Sequence, residues 1–286
     1  MTRNHSHLSR RTALRTVAGA ALAGVAGCLN DNGGSGTPSN GTTFPDGQSP
    51  LTRVAVEGTA LVVEVAEAAD IDQVNLIQPN GELFGERDVA TGARQVSFEI
   101  GTAYTPGEYQ VLALKGEETV VEASLLIQPD LSIVEMGIGR NQPDKMWNGE
   151  SDEIAEDAFV TVENQGSGPD AITKLLFIGD VPYPSDEGGT NYAENEDVSG
   201  IYDPEADTEV NEITIAAGKQ ITVYSSRSPF AFVPGSGISC KEEQQSGEFN
   251  LILETRVGAT QISETYNIRY SAVEDPDSCD ITINEV

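Results

Sequence analysis

The chain has 286 residues, with 46 acidic against 16 basic side chains and a net charge of −30. Its two histidines, His5 and His7, both lie at the extreme amino terminus, so the remaining sequence lacks the commonest general base and metal ligand and the blue-copper ligand set. So negative a field also argues against nucleic acid or an anionic membrane surface as a partner.

In chain order, the first feature is a basic, mildly apolar leader. Arg3, Arg10, Arg11 and Arg15 precede any acid, and Ala13 to Gly27 is short, rich in Gly and Ala and interrupted by Arg15. It is too short and too weakly apolar for a spanning helix, which needs about 20 apolar residues, and it reads as a targeting segment. Ser9-Arg10-Arg11-Thr12-Ala13-Leu14 resembles the twin-arginine export signal, with Ala13 where that motif carries Phe. Val25-Ala26-Gly27-Cys28 resembles a lipobox, which implies a signal peptide over 1–27 and Cys28 as the lipidated first mature residue on the outer face of the cell membrane. Stable anchoring there takes two acyl chains.

Four of the basic residues and none of the acids fall in the leader, so −30 becomes −34 for the remainder, which carries only five lysines. At molar salt the screening length shrinks to about 3 Å and such self-repulsion largely vanishes, while the carboxylates stay hydrated. Together with export and lipobox, this composition resembles secreted lipoproteins of salt-loving archaea, and acid runs then read mainly as solvated surface. With Cys28 assigned to lipid, Cys240 and Cys279 form an even pair outside the cell and read as a disulfide, since C-x-x-C redox spacing is missing. A loop of that length is worth about 4 kcal/mol by chain entropy.

Residues 28–50 contain the lipidated cysteine and a Gly/Ser/Thr/Asn/Pro-rich stretch, Leu29 to Pro50, that reads as a flexible tether with a reach of about 25 Å. Asn40-Gly41-Thr42 within it is a candidate glycosylation site. From Leu51 the apolar period is two: Val96, Phe98 and Ile100 alternate with polar residues, as do Val121, Ala123, Leu125 and Ile127. Arg53 to Ala66, Gln73 to Gln78 and Glu108 to Lys115 are further strand candidates, and Pro79-Asn80-Gly81 and Thr105-Pro106-Gly107 are turn signals. A sandwich over 51–129 follows. Pro106-Gly107-Glu108-Tyr109 resembles the strand entry of immunoglobulin-like and fibronectin-like modules, which implies a tyrosine packed at a corner between sheets.

The second domain is placed over 130–286. Ala158-Phe159-Val160-Thr161-Val162-Glu163-Asn164-Gln165-Gly166-Ser167-Gly168 resembles the strand-plus-turn of the cell-adhesion-related bacterial domain (CARDB), an immunoglobulin-like fold with a V-x-V-x-N-x-G signature, and Thr214-Ile215-Ala216-Ala217-Gly218-Lys219, followed by Ile221 and Val223, resembles that family's later turn. Asn164 and Gly166 are expected to supply positive φ where the strand ends. Phe249, Leu251, Leu253, Thr255 and Val257 share one strand face, Tyr266, Ile268 and Tyr270 the next, and Cys279 shares parity with Ile281 and Ile283. Two stretches, Asp180 to Glu209 and Ser225 to Gly247, read as insertions. The expected fold class is all-β: two tandem immunoglobulin-like antiparallel sandwiches after a signal peptide and a tether.

Candidate sites are few. Asp203, Glu205, Asp207 and Glu209 alternate, so an extended segment would put four hard oxygen ligands on one face for calcium; the competing reading is a solvated acidic loop. Trp147, the only tryptophan, lies between strands and is either a contact residue or a plug at the end of the core. Tyr183, Tyr192 and Tyr202 could form a recognition surface within the first insertion. No G-x-S-x-G or S-x-x-K element occurs, and acids are too abundant for any carboxylate pair to stand out. No catalytic, cofactor or metal residue is assigned. The expected function is a non-catalytic adhesion, interaction or scaffold module with a surface protein or glycan partner; the alternatives are a solute- or glycan-binding accessory lipoprotein and a carboxylate-based hydrolase.

Overall fold

The computed structural model describes residues 41–44, 49–148, 154–186, 191–233, 239–273 and 279–286; the leader, Cys28 and Asn40 lie outside them. The chain is all-β and forms two antiparallel sandwiches. The first contains β1 (Gly41–Thr43), β2 (Leu51–Glu57), β3 (Ala60–Val65), β4 (Gln73–Ile77), β5 (Leu83–Asp88), β6 (Gln95–Glu99), β7 (Gly107–Lys115) and β8 (Glu118–Ile127). Its sheets run β1-β2-β3-β6 and β5-β4-β7-β8. Alternation places Val54, Leu61, Leu76, Phe98 and Val111 between them, each essentially without exposure. Tyr109 is also fully buried, and its hydroxyl donates to the Thr105 carbonyl at 2.9 Å, the corner arrangement that lets a phenol close an apolar core with its polar atom satisfied.

The second sandwich contains β9 (Leu131–Ile138), β10 (Ala158–Asn164), β11 (Asp170–Gly179), β12 (Ile201–Asp203), β13 (Thr208–Val210), β14 (Ile213–Ile215), β15 (Gln220–Ser225), β16 (Gln245–Thr255), β17 (Gln261–Ala272) and β18 (Cys279–Glu285). Its sheets are β13-β12-β15-β10-β9 and β14-β11-β16-β17-β18. Val160, Val162 and Val223 face Phe177, Leu251, Leu253 and Ile268 across the core. Cys240, in the connection before β16, is bonded to Cys279 at the start of β18, with Cα atoms 6.0 Å apart. Cys279 is buried in this core with Ile281. Along the open edge of β18, Arg140 donates to the Cys279 carbonyl and Asn141 Nδ2 to that of Ile281 at 2.9 Å, so part of that edge is closed to further strand pairing.

Several expectations need correction. Residues 41–44, placed within the expected tether, belong to the first sandwich: Gly41–Thr43 pairs with β2 and Phe44 packs on the first core. Edge pairing needs only backbone groups, and a Cβ on Gly41 would stand 2.6 Å from that of Ala55, so a polar, glycine-containing segment suits this strand. Arg53 to Ala66 is two strands, broken at Gly58 with φ +62°. Leu83–Asp88 escaped the period-two reading because it is an edge strand and largely exposed. Residues 201–210, placed in an insertion, form the β12–β13 hairpin and extend a sheet.

The Asn164–Gly166 turn also works differently from the expectation, as neither residue has positive φ. Fully buried Asn164 is a hydrogen-bond hub: its Oδ1 accepts from the backbone N–H groups of Asp130 at 3.1 Å and Gly166 at 2.9 Å, and its Nδ2 donates to the Gly168 carbonyl at 2.9 Å. Gly166 is required for close approach, since a Cβ there would lie 2.4 Å from the Gln128 carbonyl oxygen.

This turn joins the two sandwiches. Ser167 Oγ donates to the Leu126 carbonyl at 2.7 Å, the amides of Ser167 and Gly168 both donate to that of Gln128 at 2.9 Å, and the Tyr104 hydroxyl donates to the Pro169 carbonyl at 3.0 Å. From the other side Val257, just past β16, is 2 % exposed and belongs to the core of the first sandwich. Its amide is held at 2.8 Å by the buried carboxylate of Asp170, whose Oδ1 also accepts from the Ala171 amide at 2.7 Å. Burial raises the pKa of that carboxyl and the backbone donors pull against it. A connection so densely bonded fixes the relative setting of the sandwiches.

Candidate functional site

Strand register lines up one outward-facing row on the β13-β12-β15-β10-β9 sheet. Glu209, Tyr202, Tyr224, Phe159 and Gly137 stand opposite one another on successive strands, and directly opposed residues share a face. Their strand neighbours Ile201, Val223, Val160 and Ile138 point the other way, into the core. Three aromatic rings therefore lie on the side of the sheet where solvent-facing polar residues are the rule.

Phe159 faces outward yet has no exposure, because the chain after β9 folds back over the sheet and buries Met146 and Ile154 against it. Gly137 makes room, since a Cβ there would fall 2.6 Å from the Phe159 ring. Lys145 Nζ stands 5.5 Å from the same ring centroid and is ion-paired with Glu135. Two residues beyond Lys145 is Trp147, half-buried. Its ring centroid lies 4.6 Å from that of Tyr202, tilted by 43°, and 5.2 Å from that of Tyr224, nearly edge-on at 75°. The Tyr224 hydroxyl donates to the Lys145 carbonyl at 3.3 Å and the Tyr202 hydroxyl to Asp207 Oδ1 at 2.6 Å. Trp147 thus plugs no end of the main core; it caps a second, smaller cluster on the outer surface.

The acidic quartet is not extended. Asp203 ends β12, Glu205 and Asp207 sit in the turn, Asp207 has φ +53°, and Glu209 lies on β13. Asp203 Oδ1 accepts from the Glu205 amide at 2.9 Å, whereas Glu209 turns to Arg227 and Ser226, at 2.8 and 2.7 Å. Burial works against ionising Glu209, but those bonds and the guanidinium charge outweigh it and hold the carboxyl below its ordinary pKa. The condition for a one-faced calcium site is therefore not met, and among the described residues no group of three His, Cys, Asp or Glu side chains is placed to hold a metal ion.

The three tyrosines of the first insertion do not form one surface. Only Tyr202 joins the aromatic row. Tyr192 is buried, donating to the Leu175 carbonyl at 3.1 Å and accepting from Ser185 Oγ at 2.7 Å, and burial pushes its phenol up to about 12. Tyr183 is half-buried, its amide bonded to the Pro229 carbonyl at 2.9 Å. The insertion is pinned to β11 by buried Lys174, whose ammonium donates to the carbonyls of Ala193 and Asn195 at 2.9 and 3.1 Å. Tyr224 and Phe159 were not singled out from sequence, although each breaks the alternation by putting a large ring at the polar parity of its strand.

Two other features lie apart from this row. Asp157, 7 % exposed, accepts from Ser225 Oγ at 3.1 Å and the Ser228 amide at 3.0 Å, and burial raises its pKa to about 6. It fastens the chain beyond β15 to the start of β10. A depression of about 330 Å³ on the first sandwich is lined mainly by small side chains, Pro50, Ala66, Ala68 and Ala69 among them. Its one carboxylate, Asp70, is paired with Lys115 at 2.6 Å, so it lacks the convergent polar groups of a solute site.

No family model matches the chain, and no curated protein sequence matches it. Among solved structures it is similar to a glycosyl hydrolase family 2 member from Bacteroides cellulosilyticus, at 15% identity over 73% of this chain and 24% of that one, TM-score 0.23. It is similar to a β-glycosidase from Bacteroides vulgatus, at 13% identity over 78% and 23%, TM-score 0.20. A segment of two fibronectin type-III domains from chicken tenascin aligns at 12% identity over 82% and 97%, TM-score 0.25. The chain spans about a quarter of the length of the two glycosidases, and at such identities and TM-scores none of the three bears on activity or partner.

Proposed function

We propose that this chain is a non-catalytic interaction module, carried on the outer face of the cell membrane by lipid on Cys28 and presenting the Trp147 face of its second sandwich to a partner. The observation that carries this reading is the aromatic row itself. Folding the second sandwich requires apolar side chains on the inner face, and Tyr202, Tyr224 and Trp147 stand on the other one, half-buried. Rigid aromatics contribute large contact area at small entropic cost and concentrate binding energy where they cluster. The bonded junction between the sandwiches suits a scaffold role, because it holds the second sandwich against the first through hydrogen bonds and a shared core residue. The acidic surface belongs to the same proposal, as the solvation layer of a protein working in concentrated salt.

Cross-linking on intact cells in high-salt medium, followed by identification of adducts, tests the reading. Adducts that form with the native chain and are lost in Trp147→Ala support it. Adducts unchanged in Trp147→Ala would remove the face from consideration, and recovery of none from either form would overturn the interaction module itself.

A further inference from the structure

We propose that the outer aromatic face takes an arginine side chain of a polypeptide partner, with the guanidinium laid over the Trp147–Tyr202 rings and donating to the Asp207 carboxylate. The proposal rests on the reading of this face as an interaction surface and adds the chemistry of what it accepts. Three observations carry it.

The first is charge. Asp207, in the exposed β12–β13 turn, stands at the edge of the face, bonded to the Tyr202 hydroxyl, and has no ion-pair partner among the described residues. Concentrated salt screens the overall field, but a cation lying on Trp147 and Tyr202 reaches the Asp207 carboxylate at contact range, where screening has little effect.

The second is repetition. Twice on this sandwich a cation stands over a ring while paired with a carboxylate: Lys145 over Phe159 with Glu135, and Arg227 over Tyr192, at 6.0 Å, with Glu209. At Trp147 and Asp207 the ring and the carboxylate are present, linked through Tyr202, which stacks on the one and donates its hydroxyl to the other. Among the described residues no cation stands over Trp147 or pairs with Asp207.

The third is shape. An ammonium cage needs rings facing one another across a gap, but these rings touch, with centroids 4.6 and 5.2 Å apart. A ligand must lie on them instead of between them. Guanidinium is planar, stacks on aromatic faces and offers a fork of donors to a neighbouring carboxylate, whereas an ammonium offers a strongly hydrated point charge.

Trp147 is the only tryptophan, so its fluorescence in the purified full chain reports directly on this face. The probes are acetyl-Gly-Gly-Arg-Gly-Gly-amide, the same peptide with citrulline, which keeps the planar shape without the charge, the lysine peptide, and cellobiose as a neutral sugar. The expected result is a saturable change with the arginine peptide, weaker by about tenfold with citrulline, the scale of one cation–π contact plus a charged hydrogen bond. Lysine should fall between the two. Asp207→Asn, in an exposed turn, should weaken arginine binding several-fold and leave citrulline binding unchanged. Equal binding of arginine and citrulline peptides, no response to arginine, or saturation by cellobiose alone would overturn the proposal. If cell-surface adducts still depend on Trp147 while the arginine peptide gives no response, the interaction module stands and only the arginine assignment falls.

Discussion

The two sandwiches share an architecture and differ in where they put their large side chains. The first keeps its large buried rings, Phe98 and Tyr109, between its sheets. The second fills its interior in the same manner and then builds a further layer outside, where Phe159 is buried against Met146 and Ile154 and where Trp147, Tyr202 and Tyr224 meet. It also carries the only disulfide among the described residues and the longer connections. The difference teaches that a sheet face can be recruited as a second packing surface when a connection is long enough to fold back over it. Among the described residues such a surface is only partly covered, and Trp147, Tyr202 and Tyr224 stay half-buried on it.

The largest expected effect breaks the comparison at the disulfide. Reduction, or Cys279→Ser, should lower the stability of the second sandwich by about 4 kcal/mol through the chain entropy of the 39-residue separation. Denaturant unfolding followed by Trp147 fluorescence should show the shift. If the midpoint is unmoved by reductant, the covalent closure contributes nothing to this sandwich.

Phe159→Ala tests whether the outer layer is a true core. Truncating an exposed ring on a sheet face is almost neutral, whereas a buried one costs about 3 kcal/mol or more. The larger value is expected, together with loss of the Trp147 environment in near-ultraviolet circular dichroism. A change below about 0.5 kcal/mol would reduce the layer to a surface ornament.

Val257→Ala sharpens the border between the two regions. The residue belongs to the chain of the second sandwich and the core of the first, so about 2 kcal/mol should be lost from the first. Calorimetry should show a lower first-sandwich transition with reduced coupling to the second, and a loss confined to the second would show the junction to be less tightly interlocked.

The smallest expected effect is a gain. Burial raises the Asp157 pKa from 3.8 to about 6, so the folded state binds a proton more tightly than the unfolded chain. The stability that this provides is complete below about pH 4, declines as pH rises to about 6 and is absent above. Asp157→Asn keeps an oxygen acceptor for Ser225 and Ser228 and removes the buried charge, so it should stabilise the protein by about 1–2 kcal/mol at pH 8 and flatten the profile between pH 4 and 6. Melting temperatures of both forms across that range provide the check, and parallel profiles would contradict it.

Much of the sandwich interior was legible in the sequence. Val96 to Ile100, Val121 to Ile127 and Phe249 to Leu253 alternate plainly, because in a strand each neighbour switches face whatever lies beyond it. The pairing of Cys240 with Cys279 followed from counting. The candidate face was legible only in part: Trp147 read as either a contact residue or a core plug and Tyr202 as part of a recognition surface, but nothing in the sequence brought the two together. Tyr224 and Phe159 lay inside otherwise regular strands, and nothing local announced that an outward ring would find a cover. Asn164 and Gly166 were recognised as a turn, but their part in the junction depends on Asp130 and Gln128, some 35 residues earlier in the chain.

The amino-acid sequence by itself determined the strand class, the inward residues and the imbalance of charge, since each rests on composition or on a period of two within one segment. Tertiary structure alone decided that Gly41–Thr43 is an edge strand, that Val257 fills a neighbouring core and that Trp147 lies on Tyr202 and Tyr224. Those outcomes depend on contacts between segments far apart in the chain, whose energy comes from surfaces excluded from water together, and no local pattern encodes which surfaces will meet.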